Sequence, residues 1–197
     1  MIGATWIRNL FDILAMGGVR MDQLYRILNS TIEQQDAQIK AFDDAKALIA
    51  SGETEAGIKM LERIVYEDGI IIRGEKWPFI LPDACIEAKQ YDRAWKCLNH
   101  LDMEKIGDVS KIRQRQAKIH QAEGRHLDAL AAKLAELITK HSRPETDSAA
   151  KALKPFVKRA EVSDRDADVL SLYRKHCNSD RFNEADLRKE LKAIAQR

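Results

Sequence analysis

The sequence predicts an all-α protein built as an antiparallel array of helical hairpins, with about ten helices. Three observations predict it. Helix formers dominate, because the 197 residues include only 9 Gly and 4 Pro and Ala, Leu, Lys, Glu, Gln and Arg fill most of the remainder. Apolar residues recur at three- and four-residue spacing in most segments, as one face of a helix requires. The breaks between these segments carry glycines and capping residues suited to helix ends.

The elements follow in order. A first short helix over Thr5 to Met16 ends at Gly17 and Gly18, which can adopt the left-handed conformation that stops helices. A second starts at Asp22 and sets Leu24, Ile27 and Leu28 on one face. Ser30 with Glu33 three residues on is a capping-box pattern, compatible with a fresh start or with one long helix running to Ser51. Ile39, Phe42, Ala45, Leu48 and Ile49 carry the apolar stripe to Gly52, and a partner helix over Thr54 to Tyr66 buries Ile58, Leu61, Ile64 and Val65. The stretch Ile70 to Gly74 reads as an apolar connector, since its β-branched run has no strand to pair with.

Pro78 and Pro82 lie one turn apart, so the next helix either tolerates a proline early on or starts at Pro82. Helices follow over Tyr91 to Leu101, Val109 to Glu123 and Leu127 to His141. Arg143 and Pro144 break the chain, and the last three helices span Ser148 to Ala160 with a kink at Pro155, Ser163 to Cys177, and Asn183 to Gln196. Ser163 with Asp166 and Asn183 with Asp186 supply caps for the last two.

Composition narrows the function classes. Charged residues make up 32% and the net charge is +2, but residues 1 to 100 carry 12 basic and 15 acidic residues against 21 and 16 in residues 101 to 197. The basic C-terminal half suits an acidic partner, and is far from the dense stripe of a dedicated nucleic-acid binder. Three cysteines without framework spacing point to a reducing compartment, so a cytoplasmic location is expected. Arg8 and Asp12 interrupt the apolar stretch Trp6 to Met16, which argues against a secretory leader and against a membrane span.

Self-similarity is the strongest signal. Gly52 to Leu61, Lys89 to Leu98 and Gly124 to Leu130 align as the turn and second helix of a hairpin, and their small residues Gly57, Ala94 and Ala129 stand 37 and 35 residues apart. A small residue there lets two helices approach closely. The pattern resembles the tetratricopeptide-repeat family, whose unit of about 34 residues is a pair of antiparallel helices. The organisation expected is an N-terminal cap over residues 1–37, about three degenerate helix pairs over 38–141, and a C-terminal helical extension over 142–197. Lys133 departs from the pattern, standing where a large apolar residue is expected.

The resemblance implies a superhelix that binds extended or helical segments on the first helix of each pair. Carried over by residue, that surface includes Ile39, Phe42, Lys46 and Ile49, then Lys76, Phe79 and Asp83, then Lys111, Gln114 and Lys118. Trp77, with Phe79 and Ile80, is a second aromatic contact candidate. Lys151, Lys154 and Lys158 form a further basic stripe beside that of Lys111, Arg115 and Lys118.

Residues that carry chemistry are scattered. His100, His120, His126, His141 and His176 sit in separate segments without a nucleophile pattern, and Cys97 with His100 is only half of a zinc site. Asp164, Asp166 and Asp168 read as acids favoured by a helix N-terminus. No cofactor is expected and no catalysis. The reading is a protein-binding adaptor or scaffold holding a protein or acidic peptide, with a nucleic-acid-associated protein as the alternative and a homodimer compatible with either.

Overall fold

The computed structural model describes residues 21–70, 76–140, 145–179 and 182–196. Among them are nine α-helices and no strand: α1 Met21–Ala50, α2 Thr54–Arg63, α3 Ile80–Glu87, α4 Tyr91–Met103, α5 Val109–Ala122, α6 His126–Lys140, α7 Thr146–Arg159, α8 Asp166–Cys177 and α9 Glu184–Ala195. The chain divides into two compact units, residues 1–73 and 74–197. That division falls inside the 38–141 stretch expected to form one array. The expected helix over Thr5 to Met16 and most of the Ile70 to Gly74 connector lie outside the described residues.

In the first unit Ser30 is internal to a single helix, so α1 runs unbroken over 30 residues. Its C-terminal part packs against α2, which continues into a π-helical turn at Ile64–Asp68. Phe42, Ala45, Ile58, Leu61, Ile64 and Val65 form the core. Gln38 reaches over the turn, its Nε2 donating to the Gly69 carbonyl at 2.7 Å. The helices cross where Gly57 leaves no room for a side chain: a Cβ there would lie 2.7 Å from the Ala45 carbonyl oxygen and 2.6 Å from Ile49 Cγ1.

Gly57→Ala therefore tests the crossing. In an open helix the change would stabilise by about 1 kcal/mol. Against a backbone carbonyl, overpacking of about 1–3 kcal/mol outweighs that gain, and urea unfolding should show a net loss.

The second unit stacks three hairpins, α3/α4, α5/α6 and α7/α8, closed by α9 on α6 and α8. Pro82 sits in the first turn of α3, after a 3-10 turn over Trp77–Phe79; a missing amide costs nothing where no intrahelical acceptor exists. Asp108 caps α5 by accepting from the Ser110 amide at 2.8 Å; a side-chain hydrogen bond from Ser110 foremost, and then this amide bond, hold its carboxyl below the usual carboxylate range against the opposing effect of burial. Asn183 caps α9 in the same way through Ala185. Ser163 does not cap α8; it lies within a 3-10 turn over Ser163–Arg165 that leads into the helix. Pro155 stands exposed inside α7, where the Lys151 carbonyl that loses its bond can turn to water.

One turn geometry recurs. Gly52, Lys89, Gly124 and Glu161 take positive φ of 95°, 58°, 73° and 58°, at sequence intervals of 37, 35 and 37 residues. In each turn the next residue's amide reaches back five residues, as in Gln90 to Cys85 at 2.8 Å, Arg125 to His120 at 2.8 Å and Val162 to Val157 at 3.2 Å. This closure satisfies carbonyls orphaned at the helix end.

The fourth such turn lies in the stretch expected to be an extension. No glycine marks it, and Asp166 occupies the place that Gly57, Ala94 and Ala129 hold in the others. Those three small residues are buried, whereas Asp166 is exposed, because the added 3-10 turn shifts the start of α8.

The main core joins α6 through α9. Leu130 and Leu134 from α6, Leu153 and Val157 from α7, Val169, Leu172 and Tyr173 from α8, and Leu187, Leu191 and Ile194 from α9 pack into one cluster. Lys133 meets the demand for an apolar residue with its stem: its Nζ pairs with Glu136 at 2.8 Å and lies 5.9 Å from the Phe156 ring centre.

Candidate functional site

The expected contact residues fall in both units, and each set is described with its own. In the first, Phe42 is fully buried in the hairpin core and offers no surface to a partner. Ile49 is half-buried against Gly57, and Ile39 is half-buried as well. Lys46 is exposed and paired with Asp43 at 2.8 Å. The resemblance implies a groove lined by these residues; Phe42 is taken into the core and Ile49 packs on Gly57 of the partner helix instead.

In the second unit Phe79 is only 1% exposed. The Arg115 guanidinium lies 4.1 Å from its ring centre, and Gly107 closes over its Cζ. Arg115 also donates to both carboxylate oxygens of Asp83, at 2.8 and 2.6 Å. Phe79 and Asp83 are thus internal fastenings between α3 and α5 rather than partner contacts, and Arg115 drops out of the basic stripe. Trp77 and Lys111 are half-buried, while Lys76, Gln114 and Lys118 are exposed.

The surface that remains open on the first helices is basic. Helix α5 holds Lys111, Arg113, Arg115 and Lys118 and no acid; α7 holds Lys151, Lys154, Lys158 and Arg159 with a single acid, Asp147, in its first turn. Lys118, Lys151, Lys154 and Lys158 are exposed and form no ion pair among the described residues. Several acids of the neighbouring helices are already paired. Asp102 faces Arg113 at 3.3 Å, Asp128 faces Arg188 at 3.2 Å, Glu136 faces Lys133 and Glu190 faces Lys175 at 2.6 Å.

A second feature, missed in the sequence, is polar and inside. His120 of α5 is 3% exposed, and neither ring nitrogen has a hydrogen-bond partner. Its ring meets Trp95 edge-on with centroids 4.9 Å apart, and the Trp95 Nε1 is likewise buried and unpartnered. Burial first, then the charge of Arg125, holds the imidazole below its ordinary range; Asp128 and Glu123 pull the other way and Arg188 with the downward set. Beside it runs a chain of charges, from Asp102 to Arg113, on to Glu184 at 2.9 Å, then to Arg188 at 2.8 Å and Asp128. Gln116 accepts from Arg113 at 2.9 Å.

Only the Glu184/Arg188 pair, four residues apart on one helix, has a spacing that could have signalled it in the sequence. The other links join residues far apart in sequence, and no periodicity reports them.

Chemistry-bearing groups do not converge. Among the described residues no three His, Cys, Asp or Glu side chains are placed to hold a metal ion. Cys85 and Cys97 are buried, and burial pushes the Cys177 thiol up, the opposite of what a nucleophile needs. Tyr173, beside it in the core, is pushed up to about 12, by burial foremost and then by Cys177. No described helix is long and apolar enough to cross a membrane. What the geometry defines is an all-helical hairpin array with one basic set of first helices. No family model, curated protein or solved structure matches the chain.

Proposed function

We propose that the protein is a non-catalytic helical-repeat binding module, of the kind the tetratricopeptide-like spacing suggests, which holds an acidic peptide segment of a partner protein against α5 and α7. One observation supports this most: Lys118, Lys151, Lys154 and Lys158 of these helices stand exposed and form no ion pair among the described residues, while several acids of the helices around them are spent on internal pairs. Unpaired like charges on a surface repel one another, and an anionic ligand relieves that repulsion while being steered in by it. A peptide is favoured over a nucleic acid because the lysines are few and no stacking aromatic is interleaved with them; Phe156, the aromatic of α7, is half-buried under Lys133.

The test uses a fluorescent peptide rich in Glu and Leu and, separately, a labelled single-stranded oligonucleotide. Reversing Lys118, Lys151 and Lys154 to Glu together should weaken the peptide at least about tenfold, a loss of about 1.4 kcal/mol. Undiminished peptide binding in that variant overturns the reading. Tighter binding of the oligonucleotide, with a steep loss in salt, would transfer the lysines to a phosphate backbone instead.

A further inference from the structure

The hairpin α7/α8 departs from the other three at its crossing, and the departure leaves a space. At the place set by each left-handed turn residue stand Gly57, Ala94 and Ala129 in those three, all buried. At Gly57 even a Cβ would meet the Ala45 carbonyl oxygen at 2.7 Å, so the helices touch there. In α7/α8 the place belongs to Asp166, which stays exposed behind the added 3-10 turn over Ser163–Arg165. A carboxylate cannot be pressed into a tight apolar crossing without a partner. Instead α7 and α8 enclose a cleft of about 40 Å³ that Asp166 itself lines.

The cleft is aliphatic within and charged at its mouth. Leu153, Val157 and Val169 of its lining are buried, Ala150 and Leu170 are half-buried, and Lys154 and Asp166 are exposed. At about 10–15 Å³ for one water, the space admits about three or four non-hydrogen atoms. A whole small molecule needs about 300–1,000 Å³. What fits is one aliphatic side chain, and those of Val and Leu are of this size. Lys154 belongs both to the rim and to the exposed stripe of Lys151, Lys154 and Lys158. An acid drawn to that stripe therefore brings its neighbouring residue to the mouth of the cleft.

We propose that the α7/α8 cleft seats one Val or Leu side chain of the acidic peptide, so that the surface reads an aliphatic residue beside an acid rather than charge alone. This deepens the assignment of an acidic peptide to α5 and α7, and rests on it. The lysines steer the segment in, and burial of the aliphatic group fixes its register. Asp166 on the α8 side of the rim repels a second acid there, so the peptide's acids lie toward α7.

The test compares two labelled Glu-rich peptides that differ only in one central residue, Leu or Ala, on the full chain. The Leu peptide should bind about tenfold more tightly. Ala150→Leu, which fills the cleft from its half-buried edge, should lower the affinity of the Leu peptide to that of the Ala peptide and leave the Ala peptide unchanged. Should that variant fold poorly, the two peptides on the unaltered chain still decide. Equal affinity for both, still lost when Lys118, Lys151 and Lys154 are reversed to Glu, overturns the cleft and keeps the basic surface. Binding of neither overturns both. A Leu preference that survives Ala150→Leu places the side chain elsewhere and overturns the proposal, as does self-association in sedimentation that Ala150→Leu abolishes, which would assign the cleft to a second copy.

Discussion

Leu134→Ala is expected to lower the stability of the second unit by about 3–5 kcal/mol, read as a reduced urea midpoint with an unchanged slope. Leu134 is fully buried on α6, the helix that packs on α5, α7, α8 and α9 alike. Truncation there removes apolar contact with several helices at once, and the site cannot collapse because each wall is a rigid helix held by other contacts. The loss should be cooperative. Leu134 belongs to the cluster that runs from Leu130 to Ile194, so α6 through α9 should melt in one transition rather than hairpin by hairpin. A variant that unfolds α7 to α9 while α3 to α6 remain folded would show that the three hairpins are energetically separate.

Leu134 also shows why the helices were readable and the surfaces were not. Leu130, Leu134, Leu137 and Ile138 follow helical spacing, and burial of that stripe is dictated by the hydrophobic effect whatever it packs against. The turns were readable for a similar local reason where glycine supplies the left-handed residue, as at Gly52 and Gly124. At Lys89 and Glu161 the same conformation is taken by residues with a side chain, and only the geometry of the neighbouring helices makes it necessary. The fourth hairpin was therefore not seen as a repeat.

Contact residues depend on which side of a helix is covered, and that is a tertiary fact. Phe42 and Phe79 share faces with exposed residues, yet lie inward, and Asp83, part-exposed, is taken up by Arg115. Lys118, Lys151 and Lys154 were recognisable as stripes from their spacing alone. The His120 environment was illegible, since its ring is covered from another helix by Trp95 of α4, and nothing about a lone histidine on a helix reveals what closes over it.

Gly107→Ala is expected to cost about 2–4 kcal/mol, although the same exchange at a loop position of ordinary geometry stabilises by about 0.4–1 kcal/mol. Two effects reverse the sign. Gly107 has φ +85°, where a Cβ costs about 1–2 kcal/mol. That Cβ would also stand 2.9 Å from Phe79 Cζ, and overpacking of this kind costs about 1–3 kcal/mol. Phe79 has little freedom to yield, because the Arg115 guanidinium lies over its ring and is itself fixed bidentately to Asp83. Gly124→Ala separates the two contributions, having a similar φ of +73° and no neighbour within 4 Å of the added carbon. The difference between the two variants in urea unfolding should therefore be the contact with Phe79, about 1–3 kcal/mol. Equal losses would mean that Phe79 gives way freely, and that the Gly107–Phe79–Arg115–Asp83 stack is not the fastening of α3 to α5.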